Sequence, residues 1–226
     1  MEITPIATFH SPFKDKFGIP RQSGIVSELQ GSVVFMPEFR NPDFLRGLDD
    51  FDYIWLIWEF SANRHENISP TVRPPRLGGN TRMGVLATRS PYRHNRLGLS
   101  AVKIDSISLD TANGPVIFVK GADLMDGTPI YDIKPYIAYA DAHPQARSGF
   151  VDDNEWNMLH VDIPQSIAAS FSEQQLQALQ QTLALDPRPH YHDNPAKVYG
   201  MTFLDKDIHF TVNGNNLKVI DINLNQ

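Results

Sequence analysis

Seven short runs of β-branched and aromatic residues follow one another in this chain without a helix between them, and that order limits its fold more than any other feature. Ile3 to Phe9, Ser32 to Met36, Asp52 to Glu59, Met83 to Thr88, Ser100 to Ser108, Pro115 to Lys120 and Ile130 to Ala138 are each rich in Ile, Val, Phe, Tyr or Trp and bounded by Gly, Pro or Asn, the punctuation of strands. A parallel sheet needs a crossover of about a dozen residues or more between successive strands, usually an amphipathic helix. No helix-length segment with apolar residues at spacing 3, 4, 7 intervenes here. The spacing predicts a mainly β fold, a single, mostly antiparallel sheet curled into a barrel.

The pattern changes after Ala140. Asp-Ala-His-Pro-Gln-Ala-Arg-Ser-Gly and then Asp-Asp-Asn read as an exposed connection up to about Ile163. Ser172 and Gln175 have capping-box spacing and open the clearest helix, Ser172 to Leu185, with Leu176, Leu179 and Leu183 at helical spacing and Asp186-Pro187 ending it. Val198 to Leu204, Ile208 to Val212 and Leu217 to Ile222 read as strands, the last two joined by the hairpin signal Asn213-Gly214-Asn215-Asn216. The chain thus divides into a barrel over residues 1–145, a connection over 146–163 and a small C-terminal α+β unit over 164–226, a helix plus an antiparallel meander.

Net charge is −6, which alone argues against a polyanionic partner, but its distribution reverses that reading. Between Asn67 and Ile104 there is no Asp or Glu, while Arg73, Arg76, Arg82, Arg89, Arg93, Arg96 and Lys103 stand there; the remainder carries 13 basic and 26 acidic residues. A basic patch on an acidic body points that patch at an anion. Two or three of the seven are expected to pair with acids from elsewhere in the fold instead.

Several classes are excluded or disfavoured. There is no Gly-x-Gly-x-x-Gly, no P-loop, no His-Glu-x-x-His and no Gly-x-Ser-x-Gly. The absence of cysteine removes disulfides, thiolate metal sites and thiol nucleophiles. The longest apolar run, Tyr53 to Phe60, contains Glu59 and is far too short to span a bilayer, so no membrane association is expected. Met1-Glu-Ile-Thr-Pro lacks the basic and apolar regions of an export signal, so the cytoplasm is the expected location. His190-Tyr191-His192 would put two imidazoles on one side of an extended chain, but only Asp193 is near as a third ligand and no metal is assigned. His10, His65, His94, His143, His160 and His209 are scattered and stay without a role.

Three segments use polar, Gly and Pro residues more densely than turns require. They are Ser11-Pro-Phe-Lys…Gly18-Ile-Pro-Arg-Gln22; Arg73-Pro-Pro-Arg-Leu-Gly-Gly…Met83-Gly-Val-Leu-Ala-Thr-Arg-Ser-Pro-Tyr-Arg93…Leu97-Gly-Leu-Ser100; and Asp123-Leu-Met-Asp-Gly-Thr-Pro-Ile-Tyr-Asp-Ile-Lys-Pro-Tyr136. With Phe51-Asp-Tyr-Ile-Trp-Leu they resemble, in the same order over roughly residues 3 to 140, the signature of the TrmO family, also called YaeB or TsaA-like. Asp186-Pro-Arg-Pro-x-Tyr191 resembles the C-terminal extension of part of that family.

The resemblance implies a single-sheeted β-barrel methyltransferase that uses S-adenosylmethionine, works on tRNA and forms a homodimer. The implied acceptor is N6 of the adenosine just 3′ of the anticodon in threonine tRNA, already carrying a threonylcarbamoyl group. The implied cofactor contacts are Pro20, Arg21, Gln22, Ser61, Ala62, Arg89, Leu99 and the loop Asp123, Leu124, Met125 and Asp126, with Ser61 and Ala62 matched by position only. Asp126 and Tyr136 stand at motif positions suited to taking the N6 proton, and Lys134 to binding the threonyl carboxylate. Arg73, Arg76, Arg82, Arg93 and Arg96, with Tyr92, are the expected tRNA contacts. Where the family usually has Arg-Pro-Asn-Pro-Ile-Gly, this chain has Arg93-His94-Asn95-Arg96-Leu97-Gly98, which relaxes that loop and adds charge. The alternative is a non-enzymatic RNA-binding barrel whose motif loops only recognise RNA.

Overall fold

The computed structural model describes residues 2–63, 69–153, 157–188 and 194–224. His65, His190, Tyr191, His192 and Asp193 lie outside them. In chain order the N-terminal strands are β1 (Ala7–His10), β2 (Gln30–Phe35), β3 (Tyr53–Glu59), β4 (Thr71–Val72), β5 (Met83–Gly84), β6 (Leu97–Ser108), β7 (Val116–Lys120) and β8 (Thr128–Pro135). Six of them close into a barrel in the order β1-β2-β7-β6-β3-β8, every pairing antiparallel. The mainly β, single-sheeted barrel expected from the strand series is the observed fold.

Period-2 alternation fills the barrel. Ile54, Leu56 and Trp58 of β3 point inward beside Phe9, Val33, Val102, Ile117, Val119 and Ile130, all buried. The intervening Trp55 and Ile57 face outward. Gly98 pairs with Trp58 across β6 and β3, and a Cβ at Gly98 would collide with the indole, so the largest inward ring is accommodated by the one residue without a side chain.

The predicted strand Met83 to Thr88 is only two residues long, pairs with β4 outside the barrel and continues as a 3₁₀ turn over Val85–Ala87. Its apolar residues lack a barrel neighbour; Leu86 is 84% exposed. The β3-to-β6 connection is therefore a long excursion from the rim, and it carries the acid-free segment.

The C-terminal elements are α1 (Ala138–Asp141), β9 (His160–Asp162), α2 (Gln165–Ala168), α3 (Glu173–Ala184), β10 (Tyr199–Phe203), β11 (Lys206–Asn213) and β12 (Asn216–Leu224). The capping box at Ser172 and Gln175 opens α3 as the sequence indicates. β10, β11 and β12 form the antiparallel meander, and β9 adds to it in parallel beside β12. This sheet and α3 share a core with Phe13, Val26 and Leu29 from the segment between β1 and β2. Phe13 meets Phe203 edge to face at 5.7 Å, and the Leu204 amide donates to the Pro12 carbonyl.

Candidate active site at the barrel rim

The end of β3, the start of β6 and the loop leading into β8 meet at one rim of the barrel. There they border a cavity of about 1480 Å³, roofed by the segment Ser69–Asn95 and flanked by Lys16–Gln22. Barrel mouths are a usual place for ligand sites, and this volume exceeds the several hundred Å³ of an ordinary small-molecule pocket.

Of the residues expected at the cofactor, Pro20, Arg21, Gln22, Ser61, Ala62, Arg89, Leu99, Asp123 and Met125 line this cavity. Arg89 donates to the Gln22 side-chain oxygen at 2.5 Å, tying two of the motif loops together. Leu124 does not line it, because its side chain is buried in the barrel core. Asp126 lies beside the cavity wall: it accepts from the Ser11 amide at 3.1 Å and faces His10 at 3.1 Å, while its own amide donates to the Phe13 carbonyl. Those bonds give Asp126 a loop-pinning role. Tyr136 follows the far end of β8, its ring tilted against Trp55 and Tyr53 and outside the cavity lining. Neither residue expected to take the proton borders the cavity.

Arg73, Arg76, Arg82 and Arg93 line the cavity. Arg82 donates to the Thr71 hydroxyl at 3.0 Å and Arg93 to the Thr88 carbonyl at 3.1 Å, so both are oriented by the excursion itself. Arg96, at a left-handed φ of 50°, pairs with Glu59 at 3.0 Å, and Lys134 pairs with Asp132 at 3.1 Å on the outer wall. Neither of these two lines the cavity.

Residues without a sequence-level role also contribute. Glu59 accepts from the Tyr131 hydroxyl at 2.6 Å, and that bond, reinforced by burial, pushes the phenol up to about 12. Lys16 donates to the side-chain oxygen of Asn63, which is nearly buried. Trp58 donates to the buried Ser100 hydroxyl at 3.0 Å, and Ser100 donates to Asp123 at 2.6 Å. Burial raises the Asp123 carboxyl above the ordinary range; the Ser100 bond, backbone amides including that of Ser23, and the Arg89 charge oppose the shift only in part. The signal for Ser100 was available: a hydroxyl stands at an inward strand position between Gly98 and Val102, where the alternation calls for an apolar side chain.

A second cavity of about 320 Å³ adjoins the first across the Lys16–Arg21 loop, with Pro75 and the end of α3 on its other side. Asp186, at a left-handed φ of 51°, holds the Arg188 guanidinium through two 2.8 Å bonds. Its charge also faces Arg21. Burial lowers the Arg21 guanidinium, Asp186 opposes that shift, and Arg76 adds to it.

Among the described residues, no cluster of three or more His, Cys, Asp or Glu could hold a metal, and no helix is long and apolar enough to cross a membrane.

An antiparallel barrel with a large, arginine-rich cavity at its rim is a β-barrel ligand-binding protein, with none of the parallel-sheet architecture of the common nucleotide-cofactor folds. Residues 8–142 match the tRNA-methyltransferase O N-terminal domain and residues 157–225 the TrmO C-terminal domain, so the chain belongs to the tRNA-methyltransferase O family. An Escherichia coli relative named tRNA (adenine(37)-N6)-methyltransferase is 33% identical over 220 residues, covering 92% of this chain and 91% of its own. A Pseudomonas aeruginosa relative, 35% identical over 224 residues with 92% and 91% covered, carries a provisional name as an S-adenosylmethionine-dependent methyltransferase. A crystal structure of TrmO from Pseudomonas aeruginosa superposes with a TM-score of 0.79 at 29% identity, covering 99% of this chain and 98% of that one.

Proposed function

We propose that this protein transfers a methyl group from S-adenosylmethionine to N6 of the adenosine just 3′ of the anticodon in tRNA. The single observation that carries this reading is the continuity of the rim cavity: nine of the residues expected at the cofactor and four of the arginines expected at RNA border one space. Its volume suits a cofactor and an extruded nucleotide together.

The lining fits the cofactor's chemistry. S-adenosylmethionine presents a carboxylate, an ammonium, ribose hydroxyls and an adenine ring. Arg21 and Arg89 offer guanidinium groups, Pro20–Gln22 and Ser61–Ala62 offer backbone polar groups, and Leu99 and Met125 offer apolar surface. Bound there, the cofactor supplies a methyl group activated on a sulfonium, and the protein's part is to orient the acceptor in line with it.

On the RNA side, Arg73, Arg76, Arg82 and Arg93, with Tyr92, provide phosphate contacts and planes on which an unstacked base can rest. The finer substrate is an adenosine already carrying a threonylcarbamoyl group, in threonine tRNA. With Lys134 on the outer wall, Lys16 and the lining arginines are the cations available to a threonyl carboxylate. Leu86, Tyr92 and Leu99, exposed beside the cavity, support a homodimer in which a second copy covers the site. A tRNA-modifying role supports a cytoplasmic location.

The test is calorimetric titration with S-adenosylmethionine, followed by methyl transfer to threonine tRNA with and without the threonylcarbamoyl group. Saturable binding and transfer to the carbamoylated tRNA alone is the expected result. Equal transfer to both removes the finer substrate, and tRNA binding indifferent to the cofactor favours the non-enzymatic RNA-binding module.

A further inference from the structure

Resting on the methyl-transfer reading, we propose that Asp123 takes the N6 proton of the acceptor adenosine, with Ser100 and Trp58 as positioning residues that fix its carboxylate. An exocyclic purine nitrogen has its lone pair delocalised into the ring, and more so when acylated. It attacks well only as its proton leaves, so a base must reach into the space where cofactor and adenosine meet.

Two carboxylates line that space among the described residues, Glu59 and Asp123. Glu59 is committed on both oxygens: Oε1 to the Arg96 guanidinium at 3.0 Å and Oε2 to the Tyr131 hydroxyl at 2.6 Å. Both of its oxygens are thus occupied before an acceptor arrives. Asp123 differs. It lies deeper, and its Oδ1 is held by Ser100, whose hydroxyl is itself oriented by the Trp58 indole. Ser100 is 1% exposed and Trp58 6%, so the relay is packed inside the barrel and presents the carboxylate in one orientation. Burial makes this carboxylate more basic than a free aspartate, while the Ser100 bond, backbone amides and the Arg89 charge oppose that shift in part. Arg21 lines the same wall. His94, the imidazole in the lining, is exposed in the arginine-rich excursion.

The step balances. N6 gives its proton to the Asp123 carboxylate and forms a bond to the methyl carbon, while that carbon's bond to sulfur breaks and leaves its electron pair on sulfur. The positive charge lost from the sulfonium is carried by the proton, which passes from Asp123 to water when the products leave.

The experiment compares wild type with Asp123→Asn. Cofactor binding is read by calorimetry, single-turnover methyl transfer to tRNA is followed across pH, and the side-chain carboxyl resonances are followed by carbon NMR in the cofactor-free protein. The expected result is a single-turnover transfer rate at saturating cofactor lower by about a hundredfold or more, whatever the change in cofactor Kd, and loss of one carboxyl resonance that titrates above the ordinary Asp range. A rate within about threefold of wild type, or a loss confined to cofactor affinity, overturns the proposal and makes Asp123 a cofactor ligand or a scaffold residue. Should Asp123→Asn fail to fold, Ser100→Ala carries the test. Without its hydroxyl donor the carboxyl pKa rises further, and the acid limb of the rate profile moves to higher pH; an unmoved limb overturns the proposal. A wild type that binds no S-adenosylmethionine removes the methyl-transfer reading and this proposal with it, whereas normal binding with an unaltered Asp123→Asn rate removes the proposal alone.

Discussion

Arg89 and Gln22, 67 residues apart in the chain, share a hydrogen bond of 2.5 Å across one wall of the rim cavity. Each therefore orients the other before any ligand arrives. Arg89→Ala is expected to weaken S-adenosylmethionine binding by about tenfold, the size of one charge-assisted bond. Gln22→Ala should cost less, and the double variant should lose less than the product of the two, because the second substitution removes a partner already gone. Calorimetry on the three variants checks the coupling.

Burial sets the sign of a pH effect at Asp123. Its folded carboxyl lies above its ordinary value of 3.8, so the folded state binds the extra proton and stability is lost as pH rises through the window above that value. Asp123→Asn removes a charge that the fold holds at a cost. The variant should melt higher than wild type at neutral and alkaline pH, with the gap closing as pH falls toward the ordinary Asp range. Thermal denaturation at a series of pH values measures it; a constant gap would mean that the effect is one of packing rather than charge.

Asp186 holds Arg188 and faces Arg21 from a left-handed backbone. Asp186→Gly suits that backbone, since glycine adopts positive φ without a Cβ clash, yet it deletes the carboxylate. The melting temperature should fall, because the largely buried Arg188 guanidinium loses both bonds, and cofactor affinity should fall several-fold in the protein that remains folded, through loss of order at Arg21. A destabilised variant with unchanged affinity would assign Asp186 to the fold alone.

Arg73 and Arg82 line the cavity on the excursion, on a chain whose net charge is negative. Replacing both with Gln should weaken tRNA binding and reduce the slope of log K against log salt by about 1.4 to 1.8, the release expected for two phosphate contacts. Fluorescence titration over a salt series checks this, with calorimetry showing that cofactor affinity changes far less.

The barrel was legible because its signal is local: β-branched runs, a period of two, and no helix between them. Met83 to Thr88 misled because composition there matches a strand, while the partner strand that would bury Leu86 does not exist. The cavity was legible only through motif order. Alternation alone could not show that loops starting at Ser11, Arg73 and Asp123 converge, nor that Leu124 turns into the core between two neighbours that border the site. Asp126 and Tyr136 stand at motif positions suited to taking the N6 proton and Asp123 only among the implied cofactor contacts, yet of the three Asp123 alone lines the cavity. Ser100 was visible as a hydroxyl on an inward register, but its partner Asp123 is 23 residues away on another element.

The segment that carries Pro20, Arg21 and Gln22 leaves the ribosome early, whereas the surfaces that pack around it, Met201 against Gly18 and Phe203 against Phe13, are among the last to be made. The barrel strands can pair while this segment still waits for its far neighbours. The loop that carries Pro20 to Gln22 thus borrows its support from the C-terminal sheet, so a substitution at Met201 or Phe203 would be felt at the rim of the cavity.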